Sequence, residues 1–166
     1  DEINDSKKLT EKKREKLYDI ILNNFNVAVG IASVEEIDKL NILNADFLAM
    51  RRALKDLEKF HEAKKDYIVL VDGNLKIKEY EGKQFPVVKG DAKSLSIAAA
   101  SIIAKVTRDR IMKDLGLKYP DYYFEKNKGY GTKKHVEVIK TKGVLKNVHR
   151  KVFLRKINNT WIKKVL

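Results

Sequence analysis

The sequence predicts an α/β fold, and three observations carry that prediction. Short β-branched runs, "YIVLV" (Tyr67–Val71) and "FPVV" (Phe85–Val88), alternate with longer stretches of helical period. No linker, repeat or low-complexity tract interrupts the chain, and its two prolines, Pro86 and Pro120, lie far apart. At 166 residues the chain is long enough for one domain with a proper core and short for two, so residues 1–166 read as a single domain.

Each element has its own signal. Thr10 is placed to cap a helix with Glu11 in its first turn and Leu17, Ile20 and Ile21 on one face. "NVAVGIAS" (Asn26–Ser33), small and β-branched between polar residues, reads as a strand. From Ile42 to about Leu57, the side chains of Ile42, Phe47, Leu48, Met50, Leu54 and Leu57 fall mostly on one helical stripe. "YIVLV" is continuously apolar, as a central strand buried on both faces would be, and "FPVV" is a second short strand. Leu95–Leu115 is rich in Ala, Ile and Leu and lacks Gly and Pro, which predicts a buried helix. "TKKHVEVIKTKG" predicts a helix capped by Thr132 and stopped by Gly143.

Charge narrows the function class. Lysine and arginine number 36 against 23 aspartates and glutamates, a formal net charge of +13. Each phosphate neutralised by Lys or Arg releases condensed counterions, so a polyanionic partner is the natural implication. A Lys-rich surface that only confers solubility would show the same total. Here, however, basic pairs recur from Lys7 to Lys164 instead of forming a tail. The absence of cysteine excludes disulfides and thiolate metal sites and fits a reducing compartment. No apolar run approaches membrane-spanning length, and "DEINDSKKLT" is too polar for a secretory signal. The expectation is a soluble, cytoplasmic protein with no membrane partner.

Two carboxylates stand out. Asp72 follows the Val71 end of one predicted strand, and Asp91 follows "VVKG" at the end of the next. Ligands of open α/β sheets bind beyond the strand ends, and paired acids there could hold Mg²⁺ or Mn²⁺, which prefer oxygen donors. Turn formation beside Gly73 and Gly90 would explain the same residues, and spacing alone favours that simpler reading.

The wider context favours the metal site. "INDSKKLTEKKREKLYDII", "EEIDKLNILNADFLAMRRAL", "VLVDGN", "VVKGDAKSLSIAAASIIAKVTRDR" and "KNKGYGTKKH" together resemble the bacterial ribonuclease HII family, and the resemblance runs to about Phe153. It implies a ribonuclease H-like mixed sheet flanked by helices, with a helical C-terminal part. It further implies hydrolysis of the RNA strand of RNA/DNA hybrids, including 5′ of a single ribonucleotide in duplex DNA, by two-metal-ion catalysis with Mg²⁺ or Mn²⁺. Asp72 and Asp91 match two of the family's four catalytic acids. The other two form an Asp-Glu pair followed by a Gly-Arg-Gly loop, upstream of "NDSKKL". Asp1 and Glu2 abut that segment directly, without the loop. The expectation is therefore an N-terminally incomplete chain, and the alternative is a catalytically impaired fragment or a non-catalytic nucleic-acid-binding module.

By the same resemblance, Ser6 and Lys7 lie near the substrate backbone, Asn44 faces the hybrid, and Tyr130 packs on the sugar beside the ribonucleotide. Lys128, Lys133 and His135 flank Tyr130 and could bind phosphate. His149–Arg150 matches the family's His-Arg element, with Lys151–Val152 replacing the serine that commonly follows. Arg150 is counted with the nucleic-acid contacts. Ser101, Lys105 and Arg108 are assigned to packing of an Ala-rich helix, and Asp109 to an ion pair on the helix surface. The expected partners are RNA/DNA hybrid and ribonucleotide-containing DNA, met by a monomer. His61 and Trp161 carry no specific assignment.

Overall fold

The computed structural model describes residues 9–60 and 67–155. They fall into two compact units, one drawn from residues 9–31, 46–60 and 67–108, the other from 32–45 and 109–155. No helix among the described residues is long and apolar enough to cross a membrane.

The first unit is built on two helical contacts. Helix α1 (Glu11–Asn24) starts where the Thr10 hydroxyl accepts from the Lys13 backbone N–H, as its sequence predicts. Leu17 and Ile21, one turn apart, bury against Ile102, Ile103 and Val106 of the long helix α4 (Leu95–Lys118). Burying side chains of this size stabilises by about 1.5–3 kcal/mol each. Ile20, expected on the same face, is exposed.

Helix α3 (Ile42–Leu57) turns Phe47, Met50 and Leu54 towards Val69 and Val71 of strand β1 (Val69–Asp72). Strand β2 (Gln84–Val87) pairs parallel to β1, with Asp72 opposite Val87. The Gln84 side-chain amide accepts from Ile77 N–H and donates to the carbonyls of Ile77 and Tyr80, so it folds the intervening loop over the strands.

Two strand expectations are corrected here. β1 is buried on the Val69 and Val71 side only, and Ile68, Leu70 and Phe85 are exposed. α3 covers one face, and alternation sends every second side chain to the other. Asn26–Ser33 forms no strand: among the described residues, β1 and β2 pair only with each other. Within that segment, Ile31 and its neighbours lie on α3 instead. Arg52 Nη1 donates to the Ile31 carbonyl at 2.6 Å, and a Cβ on Gly30 would fall 1.8 Å from the Ala49 carbonyl oxygen.

The second unit contains helix α2 (Val34–Leu40), which opens with a full capping box between Ser33 and Glu36. Asn41 ends it at φ 69° and offers its side-chain oxygen to the N–H groups of Leu43 and Asn44. Further on, the 3-10 turn Pro120–Tyr122 and the short helix α5 (Phe124–Asn127) lead to α6 (Lys133–Lys142). Thr132 caps α6 through the His135 N–H, and Gly143 stops it at φ 87°, both as predicted. Tyr122, Phe124 and Ile139 form the core, with Val136 and Phe153 packed on it. α4 runs past its predicted end at Leu115, through Gly116, where an added Cβ would lie 2.7 Å from a Glu125 carboxylate oxygen. Glycine lets α5 approach that closely.

Candidate active site

Parallel pairing sets the C-terminal ends of β1 and β2 side by side, and the Gly73 N–H continues the ladder to the Val87 carbonyl. The chain leaves β2 through Lys89, which is left-handed at φ 56°, and enters a 3-10 turn, Gly90–Ala92, that carries Asp91. Lys93 and Ser94 both donate their N–H groups to the Gly90 carbonyl, closing the turn ahead of α4. Asp72 Oδ1 accepts from the Gly90 N–H at 2.8 Å. The two acids singled out from the sequence are thus brought to one end of the sheet, the first tied to the turn that carries the second.

This donor set suits a hard cation. Among the described residues, Asp91 and the second oxygen of Asp72 have no hydrogen-bond or ion-pair partner. Carboxylate oxygens at one end of a sheet are donors of the kind that a divalent ion with oxygen preference takes. The set is partial: among the described residues, no group of three or more His, Cys, Asp or Glu side chains is placed to hold a metal.

The remaining predicted residues belong to the second unit or to segments that are not described. Asp1, Glu2, Ser6 and Lys7 lie outside the described residues, as do His61 and Trp161. Asn44 sits in the first turn of α3, where its Nδ2 donates to the Leu40 carbonyl. Lys128 is left-handed at φ 49° and half-buried, while Lys133 and Arg150 are exposed. Tyr130 is 66% exposed. Its backbone is held on both sides: the N–H donates to the Asn127 carbonyl, and the carbonyl accepts from Thr132 N–H and His135 Nδ1.

His135 is not placed to meet a phosphate, contrary to expectation. It is 1% exposed, and both ring nitrogens are engaged, Nδ1 with the Tyr130 carbonyl at 2.8 Å and Nε2 with His149 Nε2 at 3.1 Å. His149, also buried, accepts the Leu145 N–H on Nδ1 at 2.9 Å. Burial, reinforced by the charge of His135 when protonated, lowers the His149 pKa below its ordinary 6.5.

Residues 2–156 match the family model described as Ribonuclease HII. The chain belongs to the ribonuclease HII family. It is 79% identical over 160 residues to Ribonuclease HII of Fusobacterium nucleatum subsp. nucleatum, a match that covers 96% of this chain and 74% of the relative. Ribonuclease HII of Caldanaerobacter subterraneus subsp. tengcongensis is 50% identical over 157 residues, covering 94% of this chain and 62% of that protein. The crystal structure of the ribonuclease H2 from Pyrococcus horikoshii OT3 superposes with a TM-score of 0.68 at 26% identity, over 97% of this chain and 82% of the other. The α/β fold expected from the ribonuclease HII resemblance is therefore the fold observed.

Two residues that hold candidate residues in place, one in each unit, carry no assignment from the sequence. Gly90 holds Asp72, and the only trace of that is its position immediately before Asp91. Asn127 is buried; its Nδ2 donates to the Tyr122 carbonyl at 2.7 Å and its Oδ1 accepts from Gly129 N–H at 2.8 Å. An Asn two residues before a glycine carries the signature of an Asx turn, which could have revealed it. Asp109 is corrected as well: at 3% exposure it is buried, not on the helix surface.

Proposed function

We propose that this member of the ribonuclease HII family hydrolyses the RNA strand of RNA/DNA hybrids, including 5′ of a single ribonucleotide in duplex DNA. The observation that carries the reading is the convergence of Asp72 and Asp91 at one end of the parallel strands, in a chain that matches the family over residues 2–156. Water attacks the phosphorus, the bond to the 3′ oxygen breaks, and that oxygen takes up a proton, leaving 5′-phosphate and 3′-hydroxyl ends. Mg²⁺ or Mn²⁺ ions, when bound, would activate the water and neutralise charge on the leaving oxygen. Asp72 and Asp91 hold the cations, and the Gly90 N–H orients the Asp72 carboxylate. The Tyr130 ring packs on the sugar beside the ribonucleotide. Ser6, Lys7, Lys128, Lys133 and Arg150 meet phosphates, and Asn44 faces the hybrid. The net charge of +13 supports a polyanionic substrate. The same reading has the protein acting in the cytoplasm as a monomer.

A labelled DNA duplex containing one ribonucleotide tests it, in Mg²⁺ or Mn²⁺, with Asp72→Asn as control. Cleavage 5′ of the ribonucleotide that disappears in Asp72→Asn while duplex binding persists is the expected result. An uncut duplex that is still bound in a salt-sensitive manner would support a non-catalytic binding module instead.

A further inference from the structure

We propose that Lys89 is a further substrate-binding residue: its ammonium takes a phosphate oxygen of the nucleic-acid strand that lies over Asp72 and Asp91. The inference deepens the reading above and rests on it for the identity of the polyanion.

The residue type at this position is at odds with its backbone. Lys89 has φ 56° and ψ 45°, the left-handed region that glycine enters freely and a residue with a Cβ enters under strain. A glycine is next in sequence, yet Gly90 lies outside that region. Gly90 is needed for space instead, since a Cβ there would meet Ile97 Cδ1 at 2.5 Å. The turn therefore places a lysine where its geometry favours glycine.

The other left-handed residues show what accompanies such a conformation elsewhere in the chain. Asn41 and Asn147 are of the type that tolerates it best after glycine, and the Asn41 side chain also accepts from Leu43 and Asn44. Glu79 is ion-paired to Arg51 at 3.1 Å, the Tyr123 ring lies under Lys134 Nζ at 3.7 Å, and Lys128 has an interaction of its own. Lys89 differs from all of these. It is exposed, and among the described residues its ammonium makes no hydrogen bond or ion pair. Backbone strain with no internal partner to account for it points to a ligand.

Position and chemistry name that ligand. Lys89 lies one residue before the Gly90 N–H that holds Asp72 Oδ1, and two before Asp91. A lysine kept there as a structural counter-ion would be bonded to one of those carboxylates, and it is bonded to neither. A flexible four-carbon stem with three donors at its tip suits a phosphate oxygen, which lysine meets as a point charge. Lys93 supplies the comparison. It is also exposed and lies two residues beyond Asp91, but its backbone is ordinary at φ −118° and ψ −23°.

The test uses the full chain and a DNA duplex containing one ribonucleotide, bound without divalent ion over a range of salt so that no cleavage intervenes. Lys89→Gln should weaken binding about five- to tenfold near about 0.1 M salt and lower the slope of log K against log salt by about one unit. Lys89→Arg keeps the cation and should keep the slope, and Lys93→Gln should keep it too. Lys89→Gly should lose the slope like Lys89→Gln while its urea midpoint rises, because glycine relieves the left-handed backbone. An unchanged slope in both Lys89→Gln and Lys89→Gly, or equal losses in Lys89→Gln and Lys93→Gln, would overturn the proposal and leave the hybrid reading standing. So would a lower urea midpoint in Lys89→Gly, which would make the lysine a structural residue. A native chain that binds no duplex at any salt would overturn the hybrid reading and this inference together.

Discussion

Asp72 Oδ1 accepts a 2.8 Å hydrogen bond from the backbone N–H of Gly90, the residue before Asp91. The two candidate metal ligands are therefore mechanically linked. A strand end aims the first carboxylate, and the first carboxylate anchors the turn that aims the second. A Cβ at Gly90 would press on Ile97 Cδ1 at 2.5 Å and on Asp72 Oδ1 at 3.2 Å, so the turn is packed as well as bonded.

That link separates two substitutions at one position. Asp72→Asn retains an acceptor for the Gly90 N–H, and unfolding in urea should shift by less than about 0.5 kcal/mol. Asp72→Ala removes the acceptor and should cost about 0.5–1.5 kcal/mol. Equal stabilities for the two variants would show that the bond contributes nothing to holding the turn.

Gly30 makes a stricter claim. A methyl group there would fall 1.8 Å from the Ala49 carbonyl oxygen and 2.8 Å from Ala53 N, both helix backbone that cannot rotate aside. Gly30→Ala should lower stability by about 3 kcal/mol, the upper end of the usual range for overpacking, or leave the chain unfolded. A native-like denaturation midpoint would mean that Asn26–Ser33 does not lie against α3 as described.

Asn127 satisfies two backbone groups at once, the Tyr122 carbonyl in a buried bond and the Gly129 N–H in a half-buried one. Asn127→Ala leaves both without that partner and should cost about 1–3 kcal/mol, read from denaturant unfolding. Asn127→Asp keeps the acceptor for Gly129 but sets a carboxylate oxygen against the Tyr122 carbonyl in a buried site, so at neutral pH it should be at least as destabilising as Asn127→Ala. Should Asn127→Ala match the native chain, the loop below Tyr130 is not held by this side chain.

The pH dependence of stability follows from His149. Burial chiefly, and the charge of His135 next, hold its folded pKa below the ordinary 6.5. Below 6.5 the unfolded chain binds the proton more readily than the folded one. The contribution is complete above the unfolded value and is lost progressively as pH falls from there through the folded value. The urea midpoint should decline over that window in the native chain, and less steeply in His149→Gln. Parallel profiles for the two would remove His149 as the source.

Much of the fold was legible because its signals are local. Thr10, Thr132 and Gly143 mark helix ends through bonds to residues three or four positions away, and each does so in the structure. Asp72 and Asp91 were visible as acids following apolar runs, and the parallel register brings them together. What escaped depends on partners distant in sequence. Whether Asn26–Ser33 is a strand turns on a ladder partner, and the segment instead meets α3 through Arg52 and Ala49. The burial of His135 depends on His149 and Phe153, which no periodicity within α6 reports. Helix α2 was missed despite a local signal, the Ser33–Glu36 box, because its seven residues are too short for apolar periodicity to register.

The central claim is that Asp72 and Asp91 together hold a divalent cation, and Mn²⁺ titration of the isotope-labelled chain tests it most directly. Paramagnetic broadening should reach the Gly73, Gly90 and Asp91 amides first and should be lost from them in both Asp72→Asn and Asp91→Asn. Broadening that survives both substitutions, or that spreads over surface carboxylates without favouring the strand ends, would contradict the account.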